Sequence, residues 1–563
     1  MSPIAVMIEA LRNSGRWLHN RLAEFGPGPD FVVLEVAGRL PERRLRPHGL
    51  RGWIQRRFHM AQDSLEEWRE RLDALAADPR VKGVILTIGD LQAELPALES
   101  LRRSLGAFRG SGKRLVAFLV HANLRVYYLA SIADTIVAPE SAELSLHGLR
   151  TEATFLREAF DALGIVPQFH HIAEYKSAAN RFLYPTMPEP QREMLNALIE
   201  SVYEEVVATL AAARQRSEAV IGAAIDRGLL SAADAQGRGL VDHIAFADQL
   251  PAWLGRHDRP VRIQPWDRAR SRVRLAYRWR SLERQAIAVV PLIGMIIPGE
   301  SRDLPVPLPL LGQRLAGHET ITRGLRRAEE NPLVKAIVFY VDSPGGSAVA
   351  SDLIWREVTR LQERKPVVVC MGNVAGSGGY YVACGARHIV ARATTLTGSI
   401  GVIAGKINVR GLFEKAGVRR EIISRGATAS MPSAFASYTA FEWDILQHWM
   451  AEIYQRFKAR VAAGRGQSLE AIEAVARGRV WTGRQALSRG LIDEIGDFET
   501  ATRQAKSLAG IALDADVPLL TIRPGKATPW PVVGSAAWEE AFRALGHMLT
   551  EPALVLMPPE IRI

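Results

Sequence analysis

Apolar positions along this chain follow two rhythms. KAIVFYV (335–341) and PVVVCMG (366–372) are short unbroken apolar runs. In SDLIWREVTRLQER (351–364), by contrast, apolar side chains return every three to four positions. The first pattern predicts strands buried on both faces, and the second predicts a helix packed by one face. HIVARATTLTGSIGV (388–402) predicts short strands and turns. Ala286 to Pro298, the most apolar stretch, is interrupted by Pro291 and Gly294 and predicts buried strand and loop. Strands separated by helices of this length imply an α/β fold with parallel pairing. No run reaches the roughly 18 apolar residues of a membrane-spanning helix. The first 25 residues have neither a long apolar run nor a small-residue cleavage site, so no secretory signal is read there. In the tail, SAAWEEAFRALGHML (535–549) predicts a helix, with Trp538, Phe542, Leu545 and Leu549 at packing intervals.

The pattern occurs twice. Val81-Lys82 aligns with Val334-Lys335, and YYLASIADTIVA (127–138) matches YYVACGARHIVA (380–391) at seven of twelve positions with the same offset of 253. Gly148/Gly401, Phe160/Phe413 and Gly164/Gly417 continue it. RGLVD (238–242) and RGLID (489–493) close the copies at an offset of 251, which one small deletion accounts for. Collinear matches over this length indicate an internal duplication. The sequence divides into an N-terminal extension (1–59), a first repeat (60–250), a linker (251–285), a second repeat (286–515) and a tail (516–563).

The copies differ where chemistry can sit. DSPGGS (342–347) follows a strand in the second copy, while the first has Gln92 and Ala93 in place of Gly345 and Gly346. GSGGYY (376–381) places Ser377 where the first copy has Leu124, and Ser399 in TGSIGV stands opposite Leu146. In the other direction, Lys176 of EYKSA corresponds to Ala429. A serine hydroxyl needs a base to become a nucleophile, and Ser-Lys pairs are one solution. A serine between glycines at a helix start exposes its hydroxyl, with the Gly378 and Gly346 N–H groups placed to bind a developing oxyanion. Lys176 serves as a base only if burial lowers its pKa toward neutrality. A plain turn for GSGG, a solvated charge for Lys176 and a capping hydroxyl for Ser399 are the competing readings.

Composition narrows the rest. At 563 residues, 48% hydrophobic and 23% charged, the chain is globular in composition and too long for one core. Cys370 and Cys384 give neither a disulfide framework nor metal-ligand spacing, and both read as small core residues. His170 and His171 have no carboxylate placed to orient them as a catalytic base. No metal or nucleotide-phosphate motif occurs, so no cofactor is expected. The net charge of +11 is concentrated in residues 251–285, which hold ten arginines against Asp258, Asp267 and Glu283. No nucleic-acid module accompanies it. Arginines and apolar residues alternate from Arg270 to Arg280, which predicts a strand with one charged face; a membrane with anionic headgroups is a candidate partner for that face. Lysines number ten against 61 arginines. Arginine cannot act as a base at ordinary pH, so each lysine carries more information than usual.

YKSA (175–178), DSPGGS, GSGGYY and LTGSIGV (396–402) together resemble the signal peptide peptidase A (protease IV) family, peptidase family S49, in its long duplicated form. The similarity runs from about residue 60 to about 510. It implies a tandem ClpP/crotonase-like fold and a serine endopeptidase acting on apolar peptides such as cleaved signal peptides. By resemblance, Ser377 is the nucleophile, Lys176 the general base and Ser399 the residue that orients the lysine. Gly345, Gly346 and Gly378 belong to the oxyanion hole. A homotetramer and membrane association are implied as well, although this chain shows no anchor. Two other readings remain open from the sequence. One is a crotonase-like hydratase or hydrolase acting on acyl-CoA; the other is a non-catalytic scaffold on a membrane surface.

Overall fold

The computed structural model describes residues 3–26, 28–44, 63–255, 258–275, 277, 285–308, 312–522 and 554–556. Two compact units emerge. Unit 1 comprises residues 1–149, 202–284 and 515–517, and unit 2 comprises 150–201, 285–514 and 518–563. The units cut across the repeats, because residues 150–201 of the first repeat belong to unit 2.

Unit 1 holds β1 (Phe31–Gly38), β2 (Gly83–Leu91), β3 (Arg114–Phe118), β4 (His121–Asn123), β5 (Thr135–Ala138), β6 (Glu143–Ser145), β8 (Leu229–Ser231), β9 (His243–Ile244) and β10 (Ile263–Pro265). Six of these form one parallel sheet in the order β10-β1-β2-β3-β5-β9, while β4, β6 and β8 form a small second sheet. Val84, Ile85 and Leu86 of β2 are buried, as a parallel strand covered on both faces requires.

Unit 2 holds β7 (Val166–His171), β11 (Ala286–Ile293), β12 (Met295–Ile297), β13 (Arg302–Leu308), β14 (Gly312–Gly317), β15 (Val334–Ser343), β16 (Gly345–Ser347), β17 (Val367–Gly376), β18 (His388–Ala391), β19 (Leu396–Gly398), β20 (Ile403–Asn408), β21 (Val480–Thr482), β22 (Glu494–Ile495), β23 (Leu519–Thr521) and β24 (Leu554–Leu556). One path of parallel strands, β23-β11-β15-β17-β18-β22, repeats the order of unit 1. The last residues of β17 pair instead with β19, which continues to β21. A second sheet runs β13-β14-β12-β16-β24-β20-β7. The strands expected at 335–341 and 366–372 correspond to β15 and β17, and the helix expected at 351–364 forms as Ala348–Leu361, starting and ending three residues earlier.

The duplication extends to single hydrogen bonds. In unit 1 the buried Tyr127 hydroxyl donates to Leu240 O (2.8 Å), and in unit 2 Tyr380 donates to Leu491 O (2.9 Å). Asp242 accepts the Ile136 N–H as Asp493 accepts that of Ile389, each at 2.7 Å, and Arg214 and Arg465 pair with these same aspartates. Bonds of this kind fix where the closing RGLVD and RGLID segments meet their sheets, because a buried hydroxyl or amide without a partner is costly. β1 lies within the residues that read as an extension. Aligned by their pairing with β2 and β15, its FVVLEVAG and the AIAVVPLI of β11 share only Val33/Val289, too little for matching letters to carry the repeat that far.

The core of unit 2 packs Val290, Phe339, Val369, Tyr380, Tyr381 and Phe457 around the main sheet. Cys370 and Cys384 are buried, and burial pushes the Cys384 thiol up to about 12. The strand expected at Arg270–Arg280 does not form over its described residues. Arg272 and Val273 donate their N–H groups to Ala269 O, Arg274 to Asp78 and Leu275 to Asn20, so the amides serve a turn and side chains instead of a ladder. The helix expected at 535–549 lies outside the described residues. Among the described residues, no helix is long and apolar enough to cross a membrane.

Candidate functional site

The site lies within unit 2. β17 ends at Gly376, and a short helix, Gly378–Ala383, begins at once, leaving Ser377 at the corner. Ser377 has φ 54° and ψ −113°, a conformation that costs a non-glycine residue about 1–3 kcal/mol. Its own N–H donates to Gly398 O (2.7 Å). The ladder thus holds the backbone at this strained corner. Gly378 occupies the first helical position, where an N–H has no acceptor within the helix.

Two glycines make this corner fit. A Cβ on Gly378 would stand 3.1 Å from Gly346 N, 3.1 Å from Gly345 Cα and 2.7 Å from Ser351 Oγ, so the two glycine segments lie backbone to backbone. A Cβ on Gly346 (φ 153°) would stand 2.0 Å from Ile296 O of the neighbouring strand. The rest of DSPGGS builds the turn. Asp342 accepts the Val374 N–H (3.1 Å), Ser343 Oγ accepts that of Gly345 (3.1 Å), and Ser347 caps the next helix.

Lys176 comes from residues 150–201. Its side chain is fully buried, with Nζ 2.7 Å from Ser377 Oγ, 3.0 Å from Ser399 Oγ and 2.8 Å from Ser399 O. The carbonyl can only accept, so it takes one N–H. A neutral amine has one further N–H for the Ser399 hydroxyl and a lone pair for the Ser377 proton. Burial holds the amine well below its ordinary pKa, with no charged neighbour contributing to the shift. An amine held in its neutral form carries the lone pair that a base needs. Ser399 sits at φ 53° with its N–H fixed on Arg479 O (2.7 Å), so both of its oxygens are held for the lysine. The structure thus brings together Ser377, Lys176, Ser399, Gly345, Gly346 and Gly378. The counterpart of Lys176, Ala429, lies exposed, and those of Ser377 and Ser399, Leu124 and Leu146, are buried apolar residues. His170 lies in β7 opposite Ala404, with its ring against Trp443, and belongs to the packing there.

Other residues, to which the sequence reading gave no role at the site, complete the lysine's seat. Gly478 (φ 80°) packs so closely that a Cβ there would stand 2.5 Å from Lys176 N and 2.6 Å from its Cβ; one on Gly401 would stand 3.1 Å from Lys176 Cδ. Tyr175 donates to Glu193 (2.8 Å), and Arg479 reaches Glu193 (2.7 Å) while its guanidinium lies over the Tyr175 ring. This clamp ties the residue before Lys176 to the residue whose carbonyl fixes Ser399. Among the described residues, no cluster of His, Cys, Asp and Glu could hold a metal ion.

The chain is similar to known proteins over most of its length. The family model of Peptidase family S49 matches residues 107–259 and again 359–512, and that of Clp protease matches 316–401. A chloroplastic serine protease SPPA of Arabidopsis thaliana is 34% identical over 83% of this chain and 69% of its own length. Protease 4 of Haemophilus influenzae is 32% identical over 78% of this chain and 72% of its own, and Protease 4 of Salmonella typhi 30% identical over 85% and 78%. The two matches to one family, one in each repeat, together with relatives aligned over most of both chains, establish that this chain belongs to peptidase family S49, a family of serine peptidases with a Clp-like α/β fold.

Proposed function

We propose that the chain is a serine endopeptidase in which Lys176 is the general base for Ser377 and that its substrates are extended apolar peptides, cleaved signal peptides among them. The observation that carries this reading is the 2.7 Å contact between a serine hydroxyl and a wholly buried amine whose pKa burial lowers. Ser377 Oγ attacks the scissile carbonyl while Lys176 Nζ takes its proton. The oxyanion forms against the N–H groups of Gly346 and Gly378, and Lys176 then returns the proton to the leaving amine. Water, activated by the same lysine, releases the acyl group. Ser399 orients the amine through both of its oxygens.

Hydrolysis of a fluorogenic apolar peptide by wild type and by Ser377→Ala tests the reading. Ser377→Ala should lose at least about a thousandfold in kcat with its fold intact, by analogy with nucleophile removal in other serine peptidases. Retained turnover would reject it. Assembly as a homotetramer and peripheral contact with anionic membrane belong to the same proposal. The family resemblance supports the first, and the exposed Arg270 and Arg272 support the second. Light scattering reads the assembly, and sedimentation with anionic vesicles at two salt concentrations reads the contact.

A further inference from the structure

One short segment, residues 477–479, lies against both the lysine and the serine that orients it. Arg477 O accepts the Tyr175 N–H (3.2 Å), the Gly478 N–H donates to Ile400 O (2.8 Å), and Arg479 O accepts the Ser399 N–H (2.7 Å). The residue before Lys176 and the pair Ser399-Ile400 are thus fixed to three consecutive residues. The segment is itself strained, with φ 55° at Arg477 and 80° at Gly478. Such backbone persists only where its surroundings over-determine it. Here the Tyr454 hydroxyl accepts the Arg477 N–H (3.2 Å). The side chains close the arrangement. Arg477 reaches Glu174 (2.5 Å), and Arg479 reaches Glu193 (2.7 Å), whose other oxygen accepts the Tyr175 hydroxyl (2.8 Å). The Arg479 guanidinium lies over the Tyr175 and Trp481 rings, 4.7 Å from each centroid. At the closing offset of 251 the first copy has Asp226 and Gly228 in place of these arginines, which are therefore particular to the copy that carries Ser377.

Pairs as exposed as these add little to global stability; what they restrain is the position of the segment. We propose that Arg479 is a positioning residue for the general base: through Glu193 it holds Tyr175, and with it Lys176, in the place that keeps Nζ between Ser377 and Ser399 and out of water. The inference rests on the peptidase reading above. The charged and titratable groups around the seat are Glu174, Tyr175 and Glu193 on the lysine's side and Arg477 and Arg479 on the segment. Behind the segment stand Tyr454 and the Lys458–Glu473 pair. Among the described residues Nζ itself bonds only to Ser377 and Ser399. Burial, and no ion pair, therefore keeps the amine neutral. Loosening the clamp admits water to Nζ, and hydration restores the charged form, so proton loss moves back toward the ordinary 10.5.

The test follows hydrolysis of a fluorogenic apolar peptide across pH by the full chain and four variants, each checked for folding by thermal melting. Arg479→Met should raise the pH midpoint of kcat by about one pH unit, which is about a tenfold loss of kcat below the wild-type midpoint. KM should stay near wild type, and most of the loss should be recovered at alkaline pH. Glu193→Gln, at a half-exposed position, should shift the midpoint in the same direction by less. Arg479→Lys keeps a cation for Glu193 and should restore the wild-type midpoint. Arg489→Met removes the guanidinium 3.8 Å from the same Trp481 ring, which bonds to Gln485 and Ser488 and not to the seat, and should leave both kcat and midpoint unchanged. A folded Arg479→Met with the wild-type midpoint, whether or not kcat falls, would overturn the clamp's role while leaving the peptidase reading standing. If Arg479→Met does not fold, an unshifted midpoint in Glu193→Gln overturns it instead. No Ser377-dependent hydrolysis by the wild-type chain would overturn both.

Discussion

A buried ammonium is expensive without a counter-charge, and the neighbours of Lys176 supply none. Its three partners are a carbonyl and two hydroxyls, none of them anionic. The lowered pKa has a consequence for stability as well as for rate. Between the folded pKa and the ordinary value of 10.5, the unfolded chain binds a proton that the folded chain does not. Stability therefore rises with pH across that window and levels off above it. Each unit of depression corresponds to about 1.4 kcal/mol lost at low pH. Lys176→Met removes this cost, so its thermal midpoint should gain most on wild type below the folded pKa, and the gain should shrink as pH nears 10.5. A midpoint difference that stays constant with pH would show that Lys176 is not buried as a neutral amine. Peptide hydrolysis by wild type should move the same way, rising with pH as the amine loses its proton.

Turns decide how the elements deliver these residues. Gly478 and Gly466 both have positive φ, but only Gly478 faces the lysine; a Cβ on Gly466 would meet nothing within 4 Å. Alanine at either position should cost about 1–2 kcal/mol for its left-handed backbone. Gly478→Ala should also displace Lys176 and lower kcat at least tenfold, whereas Gly466→Ala should leave kcat near wild type. Equal kcat in the two variants would separate Gly478 from the site.

The sequence revealed Ser377, Ser399, Gly346, Gly378 and Lys176 because each differs between the copies. Gly401 escaped that comparison, since Gly148 stands at its place; Gly478 does differ, standing opposite Arg227 at the closing offset of 251, but no motif marked it out. Strands with unbroken apolar runs were legible from pattern alone. β24 was not, because three residues carry no period and its pairing is set by distant strands. The alternation at Arg270–Arg280 misled for the opposite reason: a period of two predicts a strand only where a neighbouring strand accepts its amides, and here a turn, Asp78 and Asn20 accept them.

Across the whole molecule, duplication has been put to asymmetric use. Unit 2 has the second repeat's sheet but takes residues 150–201 from the first, including β7, Lys176 and the buried Met194, Leu195 and Leu198 that pack with Leu396 and Val480. A chain of residues 286–563 alone should therefore be inactive and poorly soluble, and co-expression with residues 1–285 should restore hydrolysis. Activity from 286–563 alone would show that the first repeat is dispensable. The claim that joins these scales is that one buried amine takes the Ser377 proton. Its most direct test is the kcat/KM of Lys176→Arg against wild type on a single apolar peptide. A guanidinium keeps its protons and cannot act as the base, so the account predicts a loss of at least about a thousandfold with the fold preserved. Wild-type turnover by Lys176→Arg would contradict it.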